Sequence, residues 1–514
     1  MAEGVRGGLR RFIKRLPWYR FGAGVIAGAA GLLVTFLMRA FGLGIFLPEI
    51  AVDFAVGRTP GAIESFFIHT LGEGAKFLAL LTALAVFLIL PGIYATFFRR
   101  IQRWLKNRWY VLAFYTASSA AIVLVVILPL LGGGFFGSNT FAGAGFASLS
   151  QLLGYWVYAA VLDYLLVEVA AEYPEGFSLS RRQFIVGTVF AVIATALAFY
   201  GLASLASNKG RLIFASIQDM FAKRETPVPE FYVVTKNVID PTVDPGPWRL
   251  TIGGMVSNPA SYTYADLQNL IDTNEYVTLE CVSNEIGGNL ISTALWEGVR
   301  LSTLLNAAGV DPAADWIVFT CADDYTAAIP MVKAMDPATI VAIHMGAARA
   351  PLTTAHGFPA RMIVPGLYGM FHAKWLTKVE AVTGEVLGYW QQKGWTNGGA
   401  IHTTAIIATP ADSSVVQSPV HIGGIAFAGN RRISAVDVSV DGGATWKPVT
   451  TLEPVPLSDL TWVLWTYDWT PTRSGSYNIV ARAVDGSGAP QDKASAPPFP
   501  NGSSGYDSIT LLVG

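Results

Sequence analysis

The sequence predicts a multidomain chain: a five-helix transmembrane bundle, then an α+β domain, then an immunoglobulin-like β-sandwich. Three observations carry this. Five nearly uncharged apolar runs lie before Asn208, short strand and helix signals alternate from Phe231 to about Ala408, and the pattern after that is all β. The parts are placed at residues 1–207, 231–408 and 409–514, with a linker at 208–230. A chain of 514 residues is too long for one core and suits about three units.

Hydrophobic residues make up 52% of the chain and charged residues 14%, and the bias is concentrated before Asn208. The runs are Phe21–Phe41, Phe77–Phe98, Trp109–Leu131, Ala147–Val169 and Phe184–Ser207. Each has the roughly 20 apolar residues that a bilayer crossing needs, and a soluble core helix rarely stays uncharged on every face for so long. Membrane lipid is therefore an expected partner. Arg6, Arg10, Arg11, Lys14, Arg15 and Arg20 precede the first run, and Arg99, Arg100, Arg103, Lys106 and Arg108 follow the second. Basic loops stay cytoplasmic, so the N-terminus is expected inside. The loop with Glu49, Asp53, Glu64 and Glu73 is expected outside, and five crossings leave everything after Ser207 extracytoplasmic in a multi-pass cell-membrane protein. A net charge of −1 argues against a nucleic-acid partner.

Only His69 occurs before residue 207, which argues against bis-histidine haem in the bundle. Asp163 falls inside the fourth run, where an ionisable group is costly. It is read either as a functional group or as a hydrated interfacial one near Glu168. A quinone site or a surface for a separate redox subunit would suit the membrane part.

Lys209 to Glu230, with Pro227 and Pro229, reads as a tether. Beyond it, Trp248–Ile252, Tyr276–Glu280 and Ile317–Cys321 read as strands, and Tyr264–Ile271 and Leu301–Ala308 as helices. The central stretch is Thr278-Leu-Glu-Cys-Val-Ser-Asn-Glu-Ile-Gly-Gly288. It delivers Cys281, one of two cysteines, from a strand end into a polar, glycine-closed loop. A thiolate there can ligate a soft metal, although a lone cysteine among apolar residues is more often simple core. Cys321, at the end of an apolar strand, is read as core. No paired-cysteine spacing suggests zinc, an iron–sulfur cluster or a disulfide framework.

Downstream come Met335-Asp-Pro, His356-Gly-Phe-Pro-Ala-Arg361 and His372-Ala-Lys-Trp-Leu376. With the Cys281 stretch, in that order, these resemble the sulfite oxidase family of molybdenum enzymes, including its bacterial methionine sulfoxide reductase branch, over about Phe231 to Gly514. The resemblance implies a molybdenum–molybdopterin cofactor (Mo-MPT) with Cys281 as its metal ligand. It also implies that His356, Arg361 and Lys374, with the backbone around His372 and Ala373, hold the pterin and its phosphate. Arginine suits bidentate phosphate contact and lysine adds a point charge. Asn237, in Phe231-Tyr-Val-Val-Thr-Lys-Asn237, matches a family asparagine that contacts the pterin, and Thr320 is a further pterin candidate. Trp296-Glu-Gly-Val-Arg300 fits a structural segment of the family.

Two places depart from the animal and plant sulfite oxidases. Where their substrate-binding arginines follow the cysteine, this chain has Asn284, Glu285, Ile286 and Gly287, and where they place a catalytic tyrosine it has Trp390-Gln-Gln-Lys-Gly-Trp395. A carboxylate repels sulfite, so a neutral or cationic small-molecule substrate such as a sulfoxide fits better. Tyr325 and Trp395 are the catalytic candidates beside Cys281, with Glu285 and Tyr368 as further pocket lining. The expected reaction is two-electron oxygen-atom transfer. The alternatives are a sulfite dehydrogenase with a rebuilt anion site, or a cofactor-free membrane-tethered binding protein. Ser180-Arg181-Arg182-Gln183-Phe184-Ile185 looks like a twin-arginine export motif, which would carry a folded, cofactor-loaded domain outward. The same pair could simply anchor the fifth helix on the cytoplasmic side.

After Ser418, Ile433–Val440 alternates, Asp441-Gly442-Gly443 supplies a tight turn and Thr445-Trp446 starts the return strand. Trp462–Trp469, Gly475–Val484 and Ser508–Val513 add strands. The unit resembles the family's dimerisation domain, which implies a homodimer.

Overall fold

The computed structural model describes residues 18–41, 43–60, 63, 74–140, 142–169, 210–237 and 240–514. The chain divides into two compact units. One holds 1–58, 73–206 and 236–239, and the other 59–72, 207–235 and 240–514.

The first unit is helical. Its elements are α1 (Trp18–Ala40), α2 (Leu47–Arg58), α3 (Gly74–Ala95), α4 (Phe98–Leu105), α5 (Arg108–Ile122) and α6 (Gly143–Asp163). Among the described residues four spans are long and apolar enough to cross a membrane: Trp18–Arg39, Leu78–Ala95, Arg108–Leu130 and Gly143–Val167. They coincide with the first four of the five expected runs. The fifth, Phe184–Ser207, the twin-arginine stretch before it and His69 lie outside the described residues.

Glycines let these helices approach closely. A Cβ on Gly31 would sit 2.6 Å from the Gly154 carbonyl oxygen, and one on Gly154 would sit 2.5 Å from Thr35 Cγ2. Apolar faces gain nothing from leaving lipid, so backbone-to-backbone packing of small residues holds α1 against α6. The Asn107 side chain accepts from the Trp109 amide and caps α5. That helix runs on through a π turn, Val123–Ile127, just before Pro129. The wider turn accommodates a residue that lacks an N–H and crowds the preceding turn. Arg39 and Glu49, both buried, form two bonds of 2.9 Å. Asp163, also buried, pairs with Arg108 at 2.6 Å. The α6 helix runs on past Asp163 through a π turn, Tyr164–Val169, so this carboxylate is buried within the helix with one oxygen paired to Arg108 and the other unpartnered.

The second unit is β-rich. One mixed sheet runs Ala260–Tyr262, Leu250–Gly254, Leu376–Val382, Trp316–Cys321 and Thr326–Pro330. Another runs Thr273–Glu280, Ile291–Arg300, Ile340–Met345 and Ala350–Pro351, with Arg361–Ile363 also pairing to Ile340–Met345. The helices stand where the sequence places them, at Tyr264–Asn269 and Leu301–Ala308; the first opens with a Thr263–Asp266 capping box. Residues 210–230 pack onto this unit, with Phe214 and Met220 in its core.

Two further sheets complete the C-terminal part. The first is Thr404–Thr409, Val420–Phe427, Val463–Trp469 and Thr451–Leu452. The second is Val415–Val416, Asp507–Val513, Gly475–Asp485, Ile433–Ser439 and Lys447–Pro448. Ile422, Trp465, Val438, Ile479 and Leu511 fill the space between them. The main core joins both parts of the unit, since Phe319 and Leu376 share it with Phe427, Trp462 and Leu464.

Candidate active site

Cys281 and Arg361 belong to the same sheet. Thr273–Glu280 pairs with Ile291–Arg300, which pairs with Ile340–Met345, which pairs with Arg361–Ile363. Cys281 follows the last residue of the first strand, and its amide donates to the Leu290 carbonyl, closing a loop. Asn284 ties that loop together. Its amide nitrogen donates to Glu280 (3.0 Å), its side-chain oxygen accepts from the Leu290 N–H (2.9 Å), and its carbonyl accepts from the Ser503 hydroxyl (2.8 Å). Gly287 allows the turn with φ +72° and carries its Cα against Asp507 and Arg211. Arg211 holds Asp507 through two bonds of 2.6–2.7 Å, so the segment after residue 210 also braces the loop.

Cys281 is buried, and its sulfur lies 3.0 Å from the Ser283 hydroxyl. Three tyrosines, Tyr232, Tyr325 and Tyr368, lie within electrostatic reach of it. Burial pushes all three phenols above their usual range, so they are neutral donors. The Tyr325 hydroxyl donates to the Met370 carbonyl at 2.5 Å, and that of Tyr368 accepts from the His402 N–H at 3.2 Å. Gly369 lets the backbone pass, because a Cβ there would lie 2.7 Å from the Tyr232 hydroxyl and 3.6 Å from the Cys281 Cα.

Rings connect the cysteine end to the cationic end. Tyr232 stacks on Phe231, whose ring meets the edge of Trp296, and the Arg361 guanidinium lies 4.9 Å from the Trp296 ring centre. Arg361 is buried, donating to the His356 carbonyl (3.2 Å) and the His372 carbonyl (3.3 Å). Its Nε has no partner, and among the described residues no carboxylate pairs with it. Burial pulls its pKa down to about 10, still a cation at neutral pH. An isolated buried charge costs several kcal/mol, roughly, and a bound anion would offset that cost.

His356 and His372 lie within electrostatic reach of Arg361, and the other candidates are spread more widely. Lys374 donates to the Ala355 carbonyl (3.0 Å) and lies over the Trp375 ring, and the Ala373 carbonyl accepts from the Met362 N–H. His372 offers its backbone only, because its ring is occupied. Nδ1 accepts from the Val364 N–H (3.2 Å), and Nε2 pairs with the Leu367 carbonyl (3.0 Å). Burial and the neighbouring Arg361 lower its pKa to about 3. His356 faces the Val228 carbonyl at 3.3 Å and rests against Phe231, and burial lowers its pKa to about 4. Trp395 is buried against Phe499, and its indole N–H has no partner. Thr320 lies on the half-buried face of its strand, where its carbonyl accepts from the Thr377 hydroxyl and not from the Cys281 or Arg361 side chain. Asn237 lies in the short segment that groups with the helical unit, its side-chain oxygen accepting from Lys236 at 3.1 Å.

Glu280 was missed by sequence reasoning, which singled out Glu285 instead. Glu285 is exposed, whereas Glu280 is buried directly before the cysteine, with one carboxylate oxygen unpartnered. Burial raises its pKa to about 7, against the opposing effect of the Asn284 hydrogen bond. An acidic residue at the end of the strand, directly before the cysteine, was the available signal. Tyr232 and Asn284 were missed too.

Residues 237–390 match the oxidoreductase molybdopterin binding domain, and residues 399–496 match the Mo-co oxidoreductase dimerisation domain. The chain carries the catalytic and dimerisation domains of the sulfite oxidase family. The mitochondrial sulfite oxidase of Mus musculus is 32% identical over 319 residues, 53% of this chain and 58% of that protein. A nitrate reductase of Hordeum vulgare is 29% identical over 277 residues, 43% of this chain and 31% of its own length. This sulfite oxidase family chain thus spans about half the length of the mouse relative and less of the barley one. The crystal structure of the sulfane dehydrogenase SoxCD from Paracoccus pantotrophus is 23% identical, covering 58% of this chain and 87% of its own, with a TM-score of 0.47. The molybdopterin-binding domain implies a molybdenum cofactor.

Among the described residues, no group of three or more His, Cys, Asp or Glu side chains converges to hold a metal ion. The residues present fit the cofactor instead: one thiol at a strand end, and a buried guanidinium with an unpartnered nitrogen on the same sheet.

Proposed function

We propose that the chain is a membrane-anchored, molybdopterin-dependent oxidoreductase that performs two-electron oxygen-atom transfer on a small neutral substrate of sulfoxide type, outside the cytoplasm. The observation that carries this is Arg361, a buried cation with one guanidinium nitrogen unpartnered and no carboxylate paired with it among the described residues. Cys281 supplies a thiolate to the metal, and Arg361 and Lys374, with the backbone at His372 and Ala373, receive the pterin phosphate. When bound, the cofactor supplies the two-electron exchange of oxygen with substrate.

The protein's own groups set access and charge. Tyr325 and Tyr368, neutral phenols within electrostatic reach of Cys281, are assigned with the buried Trp395 to the substrate pocket, and the Glu280 carboxyl, its pKa raised to about 7 by burial, belongs to the residue directly before the cysteine. The chain has Asn284, Glu285, Ile286 and Gly287 where the animal and plant sulfite oxidases carry substrate-binding arginines, which supports a sulfoxide over sulfite. The likeness to sulfite oxidases supports the second reading, a sulfite dehydrogenase with a rebuilt anion site. The all-β end matches a dimerisation domain and supports a homodimer built through an immunoglobulin-like sandwich. The basic loops support an inside N-terminus, with export of the folded domain through the Arg181–Arg182 signal.

The test is metal analysis of the full chain from a cofactor-competent host, followed by assays with sulfoxides, N-oxides and sulfite. About one molybdenum per chain, with sulfoxide-dependent oxidation of a reduced viologen, is expected. Sulfite-dependent reduction of an artificial acceptor at a higher rate selects the second reading, and protein without molybdenum overturns both.

A further inference from the structure

The helical unit carries a cavity of its own. It has a volume of about 480 Å³ and is lined by Arg20, Arg99, Arg100 and Arg103 together with Thr96, Phe97 and Gln102. Among the described residues none of the four guanidiniums pairs with a carboxylate. Arg20 donates to the Tyr19 hydroxyl (2.7 Å) and the Thr96 carbonyl (3.3 Å), and Arg103 donates to the Arg99 carbonyl (3.3 Å). Asp163 is taken by Arg108 and does not line the cavity. The Arg20 and Arg99 guanidiniums both lie over the Tyr19 ring, 5.2 and 5.9 Å from its centre. Four like charges gathered around one concavity repel one another, and a bound anion removes that repulsion.

The surroundings identify what kind of anion fits. Arg20 stands in the first turn of the span Trp18–Arg39, and Thr96 to Arg100 follow directly on the end of the span Leu78–Ala95. The cavity therefore opens where a hydrocarbon layer would meet water. α4 turns Phe98 into the protein and sends Arg99, Arg100 and Arg103 outward, and its N-cap residue, Phe97, offers no side-chain acceptor to the first amides. Trp104, Trp109 and Tyr110, close by in sequence, are exposed aromatics of the sort that settle at headgroup level.

We propose that this cavity binds a phosphate group, and that the group belongs to an anionic phospholipid of the surrounding leaflet. The guanidiniums supply the planar, multidentate contacts that phosphate oxygens accept, and the neighbouring apolar helix faces suit the acyl chains. The site rests on the membrane-spanning helices alone and is independent of the cofactor chemistry.

Native mass spectrometry of the full chain, released from micelles containing equal amounts of phosphatidylglycerol and phosphatidylcholine, tests it. The expected result is a retained phosphatidylglycerol in roughly tenfold preference to phosphatidylcholine. That preference is lost in R20Q/R103Q and kept in R20K/R103K. If the double glutamine variant does not fold, judged by its melting in phosphatidylcholine micelles, R100Q alone is read in its place. In a second arm, excess inorganic phosphate in phosphatidylcholine micelles leaves the melting temperature unchanged. A phosphate-dependent rise that the glutamine variant abolishes, with no phosphatidylglycerol retained, would keep the phosphate site and move its source to a soluble anion. Equal retention of the two lipids, or retention unaffected by the glutamine variant, overturns the proposal.

Discussion

Arg361 lies 4.9 Å from the ring centre of Trp296, held by two backbone carbonyls with its Nε buried and unpartnered. Without an anion this arrangement costs stability, so the apo protein carries a cost that loading removes. Arg361→Met replaces the charge with a side chain of similar length. In the apo protein it is expected to leave the melting temperature unchanged or raise it, the equivalent of about 1–4 kcal/mol. Molybdenum content in the same variant falls at least about tenfold, since a charge-assisted phosphate contact is lost. Metal analysis and thermal unfolding on one preparation check both.

Cys281→Ser keeps the shape of the loop, because the Asn284 bonds and the Leu290 closure do not use the sulfur. Turnover is expected to vanish while membrane insertion and apo-protein melting persist. Normal activity in this variant would remove the assignment of the metal ligand.

His372 yields a pH dependence of stability with a definite sign. An unfolded imidazole takes a proton near its ordinary 6.5, whereas the folded ring, fixed between the Val364 N–H and the Leu367 carbonyl, waits until about 3. The unfolded chain thus binds more protons in that window. Stability is complete above 6.5 and falls as the pH drops toward 3. Urea titrations of apo protein between about pH 7 and pH 4 should show a shallower fall in His372→Gln than in the parent.

Trp395 buries an indole N–H that has no partner. Trp395→Phe should therefore change stability by less than about 1 kcal/mol. If the free N–H meets substrate, kcat/KM for a sulfoxide falls while molybdenum content holds. Steady-state kinetics at equal metal loading separates this from a packing effect.

Gly154 sets the approach of α1 and α6. A valine would place methyl groups where Thr35 Cγ2 lies 2.5 Å and the Gly31 carbonyl oxygen 3.1 Å from the new Cβ. Overpacking of this sort costs about 1–3 kcal/mol. Unfolding of the full chain in increasing ionic detergent is expected to begin earlier in Gly154→Val.

The sequence exposed the parts of this molecule whose physics is local. Apolar runs long enough for a bilayer need no tertiary partner to be recognised, and the four described spans fall on them within a few residues. Alternation found the strands Ile433–Ser439 and Val463–Trp469, and the Asp441 turn is closed by its carboxylate accepting from the Ala444 and Thr445 N–H groups. Side-chain direction was not legible. Glu280 and Glu285 are both acidic and near the cysteine, yet strand position buries one and the loop exposes the other. Nor could the sequence show that the His372 ring would be used up by the loop between Val364 and Leu367. That assignment depends on how a glycine- and proline-rich loop folds back on itself.

Ser503, Phe499 and Gly502 come from the last few dozen residues of the chain, yet they touch Asn284, Trp395 and Tyr368. The segment that matches the molybdopterin-binding domain, cut free at its boundary, would lose these contacts along with part of a shared hydrophobic interior. Swapping tail segments between relatives would for the same reason disturb the loop that follows Cys281, through Ser503 and Asn284, from a point more than two hundred residues along the chain.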